Sequence, residues 1–460
     1  MKWNNCYSGK RTGDQKKNKS TRTVYQRDFD RLIFSSAFRR LQDKTQVFPL
    51  PGSAFVHNRL THSLEVASVG RSLGKLVGDH IADNDIDPKD EESLNFYRNE
   101  LQSVIASACI AHDVGNPAFG HSGEEAISRY FISNAEEKID NKKLRSFFTK
   151  KEWLDLTTFE GNANALRILT HKFEGKLEGG LRLSYSTLAS ILKYPCEVSA
   201  KDKKYKHRKK FGFFQSEKDI FLDIVTEVGM IKDVVRGKVC FKRHPFVYLV
   251  EAADDICYRI IDMEDAHRLG ILSTKIVSDA FINIISSLER EEDNIEEIQA
   301  TLTSISDANN AIEYLRAKSI NSLIMESRDV FVKHKKSILQ GKFNDTLIDN
   351  VEDRCGALKE VNTLSIDKIY NHRSVIEVEI SGYKIMSELL ATFIPGLLRS
   401  KPNDMEEKSL RLLPTQFQLS KNARPYEKAM SIIDYVSGMT DTFAIELYRR
   451  CMGIEIAKHR

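Results

Sequence analysis

Apolar positions recur along the chain at intervals of three and four residues, the spacing that gathers side chains on one face of a helix. Val66, Val69, Leu73 and Leu76 keep that rhythm in THSLEVASVGRSLGKL, and His62 lies four residues before Val66 on the same inward face. Farther on, Ile105, Cys109 and His112 stand at i, i+4 and i+7, which puts a second imidazole on an apolar face, with Asp113 about 100° around the axis. The run breaks at Gly115 and Asn116-Pro117. Ser122 and Glu125 then have capping-box spacing, predicting a new helix with His121 and Glu124 close enough to touch in its first turn. Asp254, Tyr258 and Asp262 fall at i, i+4 and i+8 of EAADDICYRIIDMED, one face of one helix, while Ile256, Cys257, Ile260 and Ile261 make its other faces apolar. A first helix is predicted from residues 25–30 through LIFSSAFRRL, followed by a loop over residues 48–58.

With 10 prolines and 23 glycines in 460 residues, breakers are few, and the pattern predicts an all-α protein. Its expected parts are a polar, mobile segment over residues 1–24, a catalytic core over 25–275, a helical spacer or oligomer surface over 276–359, and a C-terminal helical subdomain over 360–460. No Gly/Ser or Pro linker separates the halves, which favours one elongated body.

Composition narrows the function classes. A hydrophobic content of 41% supports one large core or two smaller ones, and a formal charge of +4 is too small to mark the whole molecule as a nucleic-acid binder. Basic segments at 9–22 and 201–210 and an acidic helical surface at 289–297 read first as solvated faces. The 7 cysteines are odd in number, widely spaced and without a CxxC, which argues against a disulfide framework or a zinc knuckle and for a reducing compartment. The N-terminus has no apolar leader, and the apolar stretch SGYKIMSELLATFIPGLL is interrupted by Lys384 and Glu388, so a soluble, cytoplasmic protein with no membrane partner is expected.

His62, His112, Asp113 and Asp254 are the candidate ligands of a divalent metal. Two imidazoles and two carboxylates suit Mn²⁺, Fe²⁺, Co²⁺, Ni²⁺ or Zn²⁺ better than Mg²⁺. Their long separations are not a ligand-spacing motif, and for either histidine alone a hydrogen-bonded core role stays open. The polar stripe of Asp254, Tyr258 and Asp262 on an apolar helix nevertheless needs partners. His121 beside Glu124 makes a candidate general acid or base, with an N-terminal capping cluster as the alternative.

HNRLTHSLEVASVGR, ACIAHDVGNPAFGHSGEEAI, FEGNANALRILT, LKYP, EAADDICYRIIDMED, NHRSVIEVE and DYVSGMTDTFA together resemble the deoxyguanosinetriphosphate triphosphohydrolase (dGTPase) branch of the HD-domain phosphohydrolases. The blocks run in order over residues 25–450. The resemblance implies an HD-domain helical core with His62, His112, Asp113 and Asp254 as metal ligands and His121, partnered by Glu124, as the catalytic imidazole. It implies that Gln46 and Asp262 grip the deoxyribose 3′-hydroxyl and that Tyr258 packs on the sugar where a 2′-hydroxyl is denied space. Arg59, Lys193, Tyr194 and Lys210 resemble triphosphate-binding positions, although for Lys210 a solvated loop role stays open. Asn164 stands where relatives often have Gln. Phe159 stands where the related mammalian enzyme has a second histidine, which leaves His121 as the sole imidazole acid or base.

The implied activity is metal-dependent hydrolysis of a dNTP, foremost dGTP, to a deoxynucleoside and inorganic triphosphate, with Mn²⁺, Mg²⁺ or Co²⁺ as cofactor. A homo-oligomer, with a hexamer as one option, and a single-stranded DNA or nucleotide effector are also implied. Two alternatives stay open: another HD-type nucleotide phosphohydrolase, and a nucleotide- or nucleic-acid-binding regulator with little turnover.

Overall fold

A computed structural model describes residues 1–13, 21–49, 56–175, 178–288, 290, 294–420 and 422–455. The chain is predominantly helical, and among the described residues the only paired strands are the short hairpin Lys138–Ile139 and Lys142–Lys143. Four long helices, Arg59–Asn84, Leu101–Ala111, Val247–Arg268 and Ala308–Leu339, pack around the larger core, to which Val66, Leu73, Ile105, Ile256 and Phe331 contribute. The helix Ala308–Leu339 lies against both Arg59–Asn84 and Val247–Arg268, so much of residues 276–359 shares this core.

Glycine spacing decides how closely the first two helices approach. Gly70, Gly74 and Gly78 recur every four residues on the face of Arg59–Asn84 that meets Leu101–Ala111. A Cβ on Gly74 would lie 2.9 Å from Gln102 Cα, and one on Gly78 would lie 2.2 Å from the Tyr97 carbonyl oxygen. Only glycine permits this contact, which brings His62 and His112 to the same end of the helix pair.

A second core joins the helix Gly120–Ser133 to Arg373–Leu398 and Pro425–Ser437. Phe131, Phe159, Phe211, Phe214, Phe393 and Ile433 fill it. The C-terminal helices therefore pack directly on the segment that carries His121. No helix among the described residues is long and apolar enough to cross a membrane.

Several expectations change. Residues 1–13 are not a mobile tail: Trp3 and Cys6 are buried in the larger core, and Tyr97 donates to the Trp3 carbonyl at 2.6 Å. Residues 14–20, 50–55, 289 and 291–293 lie outside the described residues, and with them parts of the basic segment 9–22, the loop 48–58 and the acidic stretch 289–297. The first helix ends at Ile33, because Ser35 turns the chain and its hydroxyl caps a new helix Ser36–Arg39 by accepting from Phe38 N–H at 3.1 Å. Ser122 and Glu125 do not form a capping box. The helix starts earlier, at Gly120, because Phe119 and Gly120 both adopt left-handed backbone (φ 61° and 57°) and reverse the chain before the serine.

Candidate active site

Three predicted ligands converge from three helices. His62 Nε2 lies 3.1 Å from Asp254 Oδ1, and His112 Nε2 lies 3.4 Å from the same oxygen. The ligand atoms of His62, His112 and Asp254 all fall within 4.8 Å of one another. His112 Nδ1–H donates to the Cys109 carbonyl at 2.6 Å, which fixes the tautomer and leaves Nε2 as a bare lone pair. That buried Nε2 has no hydrogen-bond partner among the described residues. An orphaned imidazole lone pair aimed at a carboxylate fits a cation, and the N/O donor set is one that divalent transition metals accept.

Asp113 stands beside this trio. Its Oδ1 is 3.4 Å from His112 Nε2 but also accepts from Asn116 Nδ2 at 2.6 Å, and its Oδ2 accepts from Arg59 at 2.8 Å. The electrostatics are those of a cation site. Burial opposes ionisation of Asp254, yet His112 and His62 hold its carboxyl well below the usual range. Burial likewise disfavours a charged His112, but Asp113 and Asp254 outweigh it and raise the imidazole to about 9. A divalent ion would replace that proton.

A cavity of 670 Å³ opens on the cluster, and all the predicted site residues except His62 and Asp262 line it. His62 sits behind Asp254, 2% exposed. Arg59, Lys193 and Lys210 bring positive charge, each held by a carboxylate: Lys193 Nζ is 3.4 Å from Glu251, and Lys210 Nζ is 3.0 Å from Glu160 and 3.9 Å from Glu124. Lys210 is thus not a solvated loop lysine. Tyr194 is buried against the same wall.

His121 is the accessible imidazole, with 83% of its side chain exposed. Its Nδ1–H donates to Glu124 Oε2 at 2.8 Å, which leaves Nε2 for proton exchange. Glu124 is fixed in turn, since its Oε1 accepts from Gly161 N–H at 2.6 Å. Any Cβ at Gly161 would stand 2.7 Å from that oxygen. Phe159 is buried and stacked on Phe214, away from the cavity lining.

Tyr258 stacks on Tyr370, with ring centroids 5.4 Å apart and planes 12° from parallel. Tyr370 donates to Asp262 Oδ2 at 2.7 Å, so Asp262 lies behind the tyrosine pair while Gln46 reaches the cavity itself. The buried Gln46 carboxamide oxygen has no partner among the described residues.

The sequence reading missed Glu160, Glu251 and Tyr370. Glu251 lies three residues before Asp254, a helical spacing that would have placed it on the same wall. Glu160 has no such signal. Tyr370 ends a one-turn π-helix, Ser365–Tyr370, a distortion with no apolar rhythm to announce it.

Residues far along the chain hold the His121 loop. Asp441 accepts from Thr45 N–H at 2.8 Å and Phe119 N–H at 3.0 Å. Buried Lys44 donates to the Asn116 and Ser437 carbonyls at 2.6 and 2.9 Å. Asn164 donates to the Gly115 carbonyl at 2.7 Å, so the shorter amide still reaches the loop.

An HD fold with a buried His/Asp cluster and an open cavity defines a metal-binding phosphohydrolase class. Residues 59–199 match the family model described as the HD domain, and residues 346–450 match the phosphohydrolase-associated domain. The chain is 37% identical to a deoxyguanosinetriphosphate triphosphohydrolase-like protein of Synechocystis sp., covering 99% of this chain and 100% of the relative. It is 32% identical to a like-named protein of Listeria monocytogenes over 99% of this chain and 100% of that one, and 33% identical to one of Pseudomonas aeruginosa over 94% of each. The chain belongs to the dGTPase-like family of HD-domain phosphohydrolases.

Proposed function

We propose that the protein hydrolyses a deoxynucleoside triphosphate, foremost dGTP, to the deoxynucleoside and inorganic triphosphate. The observation that carries this reading is one cavity in which the His/Asp cluster, three cations and an accessible imidazole face the same space. His62, His112 and Asp254, with Asp113 alongside, would hold a divalent ion, which would supply Lewis acidity toward the α-phosphate. Arg59, Lys193 and Lys210 bind the triphosphate oxygens and share their charge between substrate and their carboxylate partners. That grip orients the α-phosphorus for in-line attack by water. His121 Nε2, its ring fixed through Nδ1 by Glu124, protonates the departing 5′-oxygen. The flat Tyr258–Tyr370 pair forms the sugar wall that excludes a 2′-hydroxyl, and Gln46 offers its carboxamide oxygen to the 3′-hydroxyl. The names of the relatives support dGTP as the first substrate to try.

Incubation with each dNTP and with GTP, in Mn²⁺, Mg²⁺ or Co²⁺, followed by separation of both products, tests the reading. Intact triphosphate and a free deoxynucleoside are expected. Release of orthophosphate or pyrophosphate, or equal turnover of GTP and dGTP, rejects it.

A further inference from the structure

Two thiols, a carboxylate and an imidazole that play no part in the cavity gather elsewhere in the fold. Cys196 pairs with Cys240 and Lys232 with Phe241 as antiparallel bridges, which sets Asp233 opposite Cys240 on its other side. Asp233 N–H accordingly donates to the Cys240 carbonyl at 2.9 Å. Directly opposed residues of antiparallel segments project to the same side, so Cys196, Cys240 and Asp233 share one face. His207 reaches over that face with Nε2 2.7 Å from Asp233 Oδ2, and Cys240 Sγ lies 3.8 Å from the same oxygen. Ligand atoms of His207, Asp233 and Cys240 fall within 4.8 Å of one another. Both thiols are fully buried, and His207 is 6% exposed.

We propose that His207, Asp233 and Cys240, completed by Cys196, form a second and structural site for a thiophilic divalent cation of the zinc class. His207, Asp233 and Cys240 are already gathered, and Cys196, turning from the Lys210 carbonyl, would complete the S₂NO set of a closed tetrahedral site, each thiol that binds giving up its proton to solvent. The competing occupant is Lys242, whose Nζ lies 3.1 Å from Asp233 Oδ2 and 3.5 Å from His207 Nε2. Lys242 and His207 also line a neighbouring cavity of 340 Å³, which can receive the ammonium when a cation enters. Cys196 Sγ now rests on the Lys210 carbonyl at 3.3 Å. The cation would therefore staple the segment carrying Lys193, Tyr194 and Lys210 to residues 231–242. Ligands spread over positions 196, 207, 233 and 240 leave no CxxC, which is why the sequence argued against such a site.

Cobalt titration of the reduced full-length chain tests the site without any activity readout. Sulfur-to-cobalt charge transfer in the near ultraviolet reports this cluster alone, because the His62 cluster has no sulfur donor. The band is expected to saturate by two cobalts per chain, one for this cluster and one for the His62 cluster, to be bleached by zinc, and to vanish in Cys240→Ser and His207→Ala. Lys242→Met keeps all four donors and removes the competing charge, so it should bind cobalt about tenfold tighter or more. No thiolate band in the folded wild type and in Lys242→Met, or a band that survives Cys240→Ser, overturns the proposal.

Discussion

His62, His112 and Asp254 belong to helices that pack in the larger core, whereas His121 and Glu124 begin a helix whose approach loop is pinned by Lys44, Asn164 and Asp441. The first group is placed by helix geometry: once Gly70, Gly74 and Gly78 set the distance between two helices, the imidazoles have little freedom. The second group starts a helix packed in the second core, and its approach loop is held by single hydrogen bonds from remote segments, the farthest from Asp441. One half of the cavity thus inherits its precision from helix packing alone, and the other also from a few polar ties that fix its approach loop. The phosphohydrolase-associated region, residues 346–450, supplies several of those ties.

The comparison is broken most severely at the helix-borne side. Asp254→Ala removes the oxygen shared by both imidazoles, and loss of bound metal together with loss of turnover to background is expected. Metal analysis after dialysis checks it, and full metal content with full activity would remove the cluster from the mechanism. Next in size is His121→Ala, which should keep the metal and lower kcat about 10²- to 10⁴-fold, the range of a lost general acid. A rise in KM with unchanged kcat would instead make His121 a binding group.

The same division explains what is legible in the sequence. His62, His112 and the Asp254–Tyr258–Asp262 face follow helical period, so spacing alone gives their inward direction, and the ordered motif blocks supply the family. The start of the His121 helix was misplaced because consecutive left-handed residues at Phe119 and Gly120, not Ser122, set it. The N-terminal segment looks polar because its anchors, Trp3 and Cys6, are sparse among hydrophilic neighbours. Glu160 and the Asp441 tie depend on contacts between remote segments, which no local period encodes. Cys196 and Cys240 escape for the same reason.

A smaller effect sharpens the loop side. Asp441→Ala leaves the Thr45 and Phe119 N–H groups without their acceptor, a cost of about 1–3 kcal/mol for each buried donor left unpaired. Turnover should fall because the His121 loop loosens, while metal content stays that of the wild type. Denaturant unfolding and metal analysis on one preparation separate the outcomes. If metal is lost along with activity, the two halves of the cavity are not independently held.

A last effect, on stability and not on turnover, concerns Asp262, on the helix-borne side but screened from the cavity by Tyr370. Burial, opposed by the hydrogen bond from Tyr370, raises its carboxyl from 3.8 to about 8. Between those values the folded chain retains a proton that the unfolded chain has released, so stability from this group is complete below 3.8 and is lost as the pH rises toward 8. Asp262→Asn holds a neutral side chain at every pH and keeps an acceptor for Tyr370. Its unfolding free energy should therefore decline less than that of the wild type across this window, while the two converge at the acid end. Identical slopes in paired denaturant titrations would mean that Asp262 is ionised in the folded chain, and would make it an anionic group facing the sugar wall rather than a neutral support behind Tyr370.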